Sequence, residues 1–310
     1  MFAARSGWKL APNAFTVALE KRRAAGGEVL DLTESNPTHC GLRYDQAAIL
    51  AALAQPGALD YHPDPRGLAG ARDAVAGYYR ERAPGATVPA LDHIFLTTST
   101  SEAYTWLFRL LCDPGDEVLV PAPSYPLFDF LAGLQDVRLV PYLLLYDHGW
   151  QIDFHSLEKA LSARTRAVVV VNPNNPTGSF VKAEELTNLG WLCAPREIAL
   201  IADEVFLDYP HDRRPRHSLA GQRDTLTFAL SGLSKIACLP QMKVAWIAAG
   251  GPPDLLAPAL ARLEVIADTY LSLNTPLQLA LSALLEQRHG LQEQLAARIA
   301  QNLGELDRRL

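Results

Sequence analysis

Between residues 94 and 248 the chain alternates short, almost unbroken apolar runs with longer stretches whose apolar positions recur every three or four residues. The runs Ile94–Thr97, Glu117–Val120, Arg138–Leu143, Ala167–Val171, Ile198–Ala202, Thr225–Leu230 and Val244–Ala248 predict strands. The spacing predicts helices over Ser101–Leu111, Phe154–Leu161 and Lys182–Cys193. Strands alternating with helices form a mostly parallel sheet covered by helices on its faces, an α/β fold. Ahead of the sheet, Asn13–Ala25 reads as a helix and Val29–Thr33 as extended. Leu68–Arg82 reads as an amphipathic helix behind the proline-rich turn His62–Arg66. After it, Leu255–Ala267, Pro276–Arg288 and Gln292–Leu310 are helical, the last without a clear stop signal.

With 310 residues, 49% of them hydrophobic, the chain can bury a large core. A net charge of -6 and no Lys/Arg block argue against nucleic acid as a partner. No apolar run approaches the length of a membrane span, and the first ten residues lack the apolar core of a secretion signal, so the expected location is the cytoplasm. Cys40, Cys112, Cys193 and Cys238 are scattered, as free thiols in a reducing compartment would be. The eight histidines form no His-x-x-x-His pair; His211 and His217 bracket a polar stretch read as a solvated loop, and no metal site is expected. Neither a phosphate-loop nor a dinucleotide glycine signature occurs.

Chemistry concentrates where predicted strands end. Ala167–Val171 empties into Asn-Pro-Asn-Asn-Pro-Thr-Gly (172–178), Ile198–Ala202 into Asp203, and Thr225–Leu230 into Ser-Gly-Leu-Ser-Lys (231–235). Ligands of open α/β sheets bind beyond the carboxyl ends of the strands, so Asn175, Asp203 and Lys235 converge on such a crevice. A lysine amine condenses with a carbonyl when deprotonated, a state that desolvation at a buried strand end favours. Taken singly, these residues read equally as a turn asparagine, a capping carboxylate and a solvated loop lysine.

The ordered set Asn-Asn-Pro-Thr-Gly, Ala-Asp-Glu-Val and Leu-Ser-Lys resembles the class I and II aminotransferases, pyridoxal-phosphate (PLP) enzymes of fold type I, from about Asp31 to at least Trp246. The resemblance implies a seven-stranded large domain and a named role for each motif. Lys235 would bind the cofactor aldehyde covalently and then serve as general base and acid. Asp203 would pair with the pyridine nitrogen, and Asn175 would donate to the ring 3-oxygen. Ser99, Thr100 and Ser101 would cradle the phosphate; by itself this turn reads as an ordinary helix N-cap. Ser231 and Ser234 flank the lysine, and Lys243 stands where the family places an arginine on the phosphate. Tyr125, otherwise a core tyrosine, would stack on the ring. Tyr61, otherwise a surface-turn tyrosine, would reach the phosphate of a neighbouring subunit, implying a homodimer. Asn36 would lie over the substrate.

Besides Lys243, two departures touch the chemistry. Phe206 stands where many members have a tyrosine, and Gly232 where they have a serine three residues before the lysine.

By resemblance the chain divides into an N-terminal segment (1–45), a large PLP-binding domain (46–288) and the start of an interdomain helix (289–310). The C-terminal small domain, with its substrate-carboxylate arginine, is expected to be missing. The implied activity is transfer of an amino group between an L-amino acid and a 2-oxo acid. The alternatives are a PLP-dependent lyase on the same scaffold (β-elimination or C–S cleavage) or a truncated, non-catalytic PLP-binding protein.

Overall fold

The computed structural model describes residues 1–310 except 32, 83–86, 211–215 and 272. Part of the extended segment expected at Val29–Thr33 and most of the loop expected at His211–His217 therefore lie outside the described residues. Two compact units result, Met1–Leu42 and Arg43–Leu310.

In the first unit, helix α1 (Ala14–Ala24) starts at Asn13, whose Oδ1 accepts the Thr16 amide at 2.8 Å. It stops at Gly26, whose φ of 70° is open to glycine at little cost. None of its side chains is buried.

The second unit is built on one sheet of eight strands in the order β1-β8-β7-β6-β5-β2-β3-β4. These are β1 (Ile94–Thr97), β2 (Glu117–Ala122), β3 (Arg138–Tyr146), β4 (Trp150–Ile152), β5 (Thr165–Val171), β6 (Ala199–Asp203), β7 (Thr227–Gly232) and β8 (Ala245–Gly250). All seven expected strands are present. The eighth, β4, pairs antiparallel with the end of β3; three residues are too few to show a period in the sequence. The run β3-β2-β5-β6-β7 is parallel, and β8 is antiparallel to both β7 and β1.

Helices cover both faces, which is why the middle stretches of the inner strands, such as residues 167–171 and 199–202, are continuously apolar. Along β5, Val168 and Val170 join a core cluster with Val75 and Tyr79 of α3 (Ala69–Arg82), Leu189 of α7 (Ala183–Cys193) and Leu281 of α10 (Thr275–Glu286). Ala167, Val169 and Val171 point the other way. They pack with Leu107 of α4 (Thr100–Leu111), Phe128 of α5 (Leu127–Leu134) and Leu263 of α9 (Pro253–Tyr270). Each fully buried valine stabilises the fold by about 1.5–3 kcal/mol, so the alternation fixes which side of each strand end faces which helix. Three further helices were not apparent in the sequence pattern or differ in extent: α2 (Gln46–Leu53), the single turn α8 (Leu233–Ile236) and α11 (Arg288–Arg309), in which only Arg288 and Leu291 are buried. The short helix α6 (Phe154–Ala160) follows β4 and is capped by Asp153.

A buried polar knot ties α3 and α11 to the loop after β6. Asp208 accepts from Arg82 Nε at 2.8 Å, from the Tyr78 hydroxyl at 3.0 Å and from Gln292 Nε2 at 3.4 Å. Beside it, Glu204 accepts from Ser218 Oγ and the Leu219 amide, both at 2.6 Å. Burial nevertheless pushes its carboxyl up to about 7, against the pull of those two donors and of Arg82.

Folding thus raises the Glu204 pKa above its ordinary 4.5, so its contribution to stability is complete below that pH and is lost as pH rises toward 7. Glu204→Gln cannot ionise. Its stability relative to wild type should climb between these pH values by up to about 3 kcal/mol, at about 1.4 kcal/mol per pH unit. Paired urea titrations across that range test this; a flat difference would mean that Glu204 does not titrate there. At Gly232, paired with Ala245 across β7 and β8, an added Cβ would come within 2.7 Å of the Val244 carbonyl and 2.8 Å of Ala245 Cα. Backbone cannot yield as a side-chain tip does, so Gly232→Ala should cost about 1–3 kcal/mol in a denaturation experiment. An unchanged midpoint would mean that the strands separate freely.

Candidate active site

Strand order brings the expected chemistry to one edge. In β5, β6 and β7 the last paired residues lie abreast, Val171 beside Asp203 and Asp203 beside Leu230. Because β8 runs the other way, its first residues come to the same edge, with Ala245 beside Gly232. Thr97, at the end of β1, lies beside Ala245. The ends of β1 and β7, which lead to α4 and to the turn that carries Lys235, are therefore about 10 Å, or two strand spacings, apart.

Asp203 ends β6 on the side facing α4. It is 8% exposed, and each of its carboxylate oxygens has one protein donor. The Tyr104 hydroxyl reaches Oδ2 at 3.1 Å and the Val205 amide reaches Oδ1 at 3.3 Å. Burial pushes the carboxyl up to about 6, held back by the Val205 amide, by Tyr104 and by the positive charge of Lys235. A buried carboxylate with room for further donors fits a cationic ring N–H.

Lys235 sits on α8, which begins directly at the end of β7. The turn is pinned through its carbonyls. Tyr209 OH donates to Lys235 O at 2.6 Å, Gln292 Nε2 to Ile236 O at 2.7 Å and Tyr44 OH to Cys238 O at 2.8 Å. These bonds satisfy the carbonyls left over at the end of a short helix. Gly232 lets the chain enter the turn against β8, and this accounts for the glycine that replaces the expected serine. The lysine side chain is exposed, not desolvated as the sequence suggested, and its Nζ lies 5.4 Å from the centre of the Phe206 ring. Phe206 thus offers the amine a π face where a tyrosine would add a hydroxyl.

The turn at Ser99–Ser101 opens α4. Ser99 Oγ accepts the Glu102 amide at 3.2 Å, and Glu102 folds back to accept the Thr98 amide and hydroxyl at 2.8 and 2.9 Å. Thr100 and Ser101, the first two helical residues, present amides that have no carbonyl one turn earlier, at the positive end of a 12-residue helix. Lys243, exposed and with φ of 51°, leads into β8 at this edge.

Tyr125 is half open, 45% exposed, in the loop after β2, and its ring meets Phe128 edge to face at 6.2 Å. Phe128 in turn meets Tyr104 at 5.1 Å. An aromatic chain thus runs from Tyr125 to the hydroxyl that holds Asp203. Asn175 is exposed at the exit of β5. Its neighbour Asn174 anchors the loop, donating from Nδ2 to Pro123 O at 3.2 Å and to Thr177 Oγ1 at 3.0 Å.

Two expected residues, Ser231 and Tyr61, are not brought to this cluster. Ser231 alternates with Leu230, which faces the α4 side, so its fully buried hydroxyl points to the opposite face of the sheet. Ser234, half-buried, flanks the lysine as expected. Tyr61, 76% exposed, lines a separate cleft of about 360 Å³ with Leu96, Trp106, Asp268 and Asn274. Asn36 belongs to the first unit, where its Oδ1 accepts the Thr38 amide and hydroxyl at 3.0 and 2.7 Å. Conversely, the sequence reading missed Tyr104 and Tyr209. Tyr104 lies one helical turn after Ser101, a spacing that places both on one face, but an aromatic in an amphipathic helix reads as core. Away from this edge, Glu81, Glu286 and His289 draw ligand atoms within 4.8 Å of one another, with Arg288 hydrogen-bonded to Glu81 in their midst.

Alanine aminotransferase of Mycobacterium tuberculosis is 33% identical over 84% of this chain and 61% of its own length. The glutamate-pyruvate aminotransferase of Escherichia coli is 29% identical over 84% of this chain and 64% of its own. The chain thus spans somewhat less than two thirds of the curated relatives it matches. Among solved structures, an alanine aminotransferase from Pyrococcus furiosus superposes with a TM-score of 0.88 at 24% identity, covering 100% of this chain and 79% of that one. An aminotransferase from Escherichia coli superposes with a TM-score of 0.78 at 28% identity, covering 91% and 70%. The profile described as aminotransferase class I and II matches residues 27–310, and the chain belongs to that pyridoxal-phosphate-dependent family.

Proposed function

We propose that this chain carries the cofactor site of an aminotransferase that moves an amino group between an L-amino acid and a 2-oxo acid. The observation that carries this is the pairing at one sheet edge of a buried carboxylate, Asp203, with a lysine, Lys235, whose charge acts on it. PLP supplies, when bound, an aldehyde for amines and an aromatic ring that withdraws electrons from the substrate α-carbon. Asp203 holds a proton at the pyridine nitrogen. Asn175 donates to the ring oxygen alone, since Phe206 has no hydroxyl to offer. The Tyr125 face, open to solvent in the chain by itself, packs on the ring and excludes water from one side. The amides and hydroxyls at Ser99, Thr100 and Ser101, with Lys243, take the phosphate; Lys243 brings charge without the fork of an arginine. Lys235 would act as the general base and acid that holds the proton exchanged at the substrate α-carbon.

In this reading residues 46–288 form the cofactor domain, residues 1–45 the N-terminal segment that includes Asn36, and residues 289–310 the start of an interdomain helix. Tyr61, exposed in a cleft that lacks Lys235, serves the phosphate of a second copy, so the working unit is a homodimer. No helix among the described residues is long and apolar enough to cross a membrane, and a cytoplasmic location accords with the scattered free thiols. The names of the relatives make glutamate with pyruvate the first substrate pair to test.

Purified protein given PLP should develop a visible absorbance that borohydride fixes onto Lys235, identified by peptide mapping. A colourless protein, or label on another residue, would falsify the cofactor assignment. With glutamate and pyruvate, Lys235→Ala should abolish transfer, and Asp203→Asn should slow it on the order of a hundredfold. Release of ammonia in place of an aminated product would point instead to a lyase.

A further inference from the structure

Tyr104 belongs to none of the sequence motifs, yet it is the side chain that touches Asp203. It is 2% exposed, on the second turn of α4, three residues after the phosphate-facing Ser101. Its ring is wedged between Phe108, at 5.9 Å, and Phe128, at 5.1 Å. That packing leaves the hydroxyl little freedom, and it lies 3.1 Å from Asp203 Oδ2. Three groups act on Asp203 from the elements around it. From α4 comes Tyr104; from the loop after β6, the Val205 amide on Oδ1; and from α8, the charge of Lys235. Behind Tyr104 stands Tyr142, whose hydroxyl is committed to the Val169 carbonyl at 2.9 Å and does not compete for the carboxylate.

We propose that Tyr104 is a positioning residue for the amino-transfer site: its buried hydroxyl fixes the rotation of the Asp203 carboxylate and keeps it ionised to receive the pyridine N–H. The role rests on the PLP reading above. It also couples two parts of the site mechanically. One helix, α4, presents the phosphate-facing amides at its first turn and the carboxylate-orienting hydroxyl at its second. A cofactor held by its phosphate at one end therefore finds its acid partner set by the same rigid element. Burial works on the phenol in the helpful direction, holding its pKa well above the ordinary range for tyrosine, so the group stays a donor.

The test compares wild type with Tyr104→Phe, which removes one oxygen and keeps the ring packing, and with fluorinated tyrosines at position 104, which strengthen the donor. The carboxyl midpoint of Asp203 is followed by carbon-13 NMR in the full chain, assigned through Asp203→Asn, and PLP affinity by visible absorbance. A hydrogen bond to a charged group of ordinary strength should move that midpoint by roughly one pH unit upward in Tyr104→Phe, with about a tenfold loss of cofactor affinity. The fluorotyrosines should move it downward. If Tyr104→Phe does not fold, the fluorotyrosine series alone decides the matter. A midpoint unmoved across the folded variants, while wild type binds PLP, overturns the role of Tyr104. Wild type that binds no PLP overturns the cofactor reading instead, whatever the carboxyl does.

Discussion

A carboxylate at the inner end of a strand with no exposed residue is the constraint around which this molecule is arranged. Removing Asp203 from water raises its proton affinity, and a buried anion is tolerated only where donors and a counter-charge are already in place. The fold supplies them from three elements: Tyr104 from a helix on one face, the Val205 amide from the strand's own exit, and Lys235 from the next strand over. The register of β5, β6 and β7 sets those elements side by side, and the valine-rich cores on both faces hold that register. Asp203 is thus strained in the sense of solvation, not of covalent geometry. A cationic ring nitrogen would relieve it.

The antiparallel strand β8 has a specific part in this. A sheet of parallel strands alone would send Lys243 and the start of α4 to opposite edges. Reversing one strand brings the entry of β8 and the exit of β1 to the edge where β7 ends. The contact is close enough that only glycine fits at position 232, and the lysine turn begins directly beyond it. What looked in the sequence like the loss of a serine hydroxyl is a steric requirement of that contact. The Lys235 turn is then held through backbone carbonyls by Tyr44, Tyr209 and Gln292, three residues far apart in the chain.

The strands, most helices and the placing of the polar motifs at strand ends were legible because they rest on local signals: apolar runs, helical spacing and turn residues at strand ends. Side-chain direction was not. Ser231 belongs to the lysine motif by sequence, yet strand alternation turns it to the far face. Tyr104 carries no motif, because its partner is 99 residues away. Tyr61 stands exposed in the wall of a cleft that lacks Lys235 and Asp203, a placement that no local signal in the sequence announces. The short elements β4, α2 and α8 depend on tertiary pairing more than on propensity, and their residues show no clear period by themselves.

The central claim is that Asp203 and Lys235 flank one bound ring. A crystal structure of the protein grown with PLP tests this most directly. Continuous density from Lys235 Nζ into the ring is expected, with Asp203 within hydrogen-bonding distance of the ring nitrogen and the phosphate at the start of α4. A ring bound elsewhere, or joined to Lys235 with its nitrogen turned away from Asp203, would contradict it.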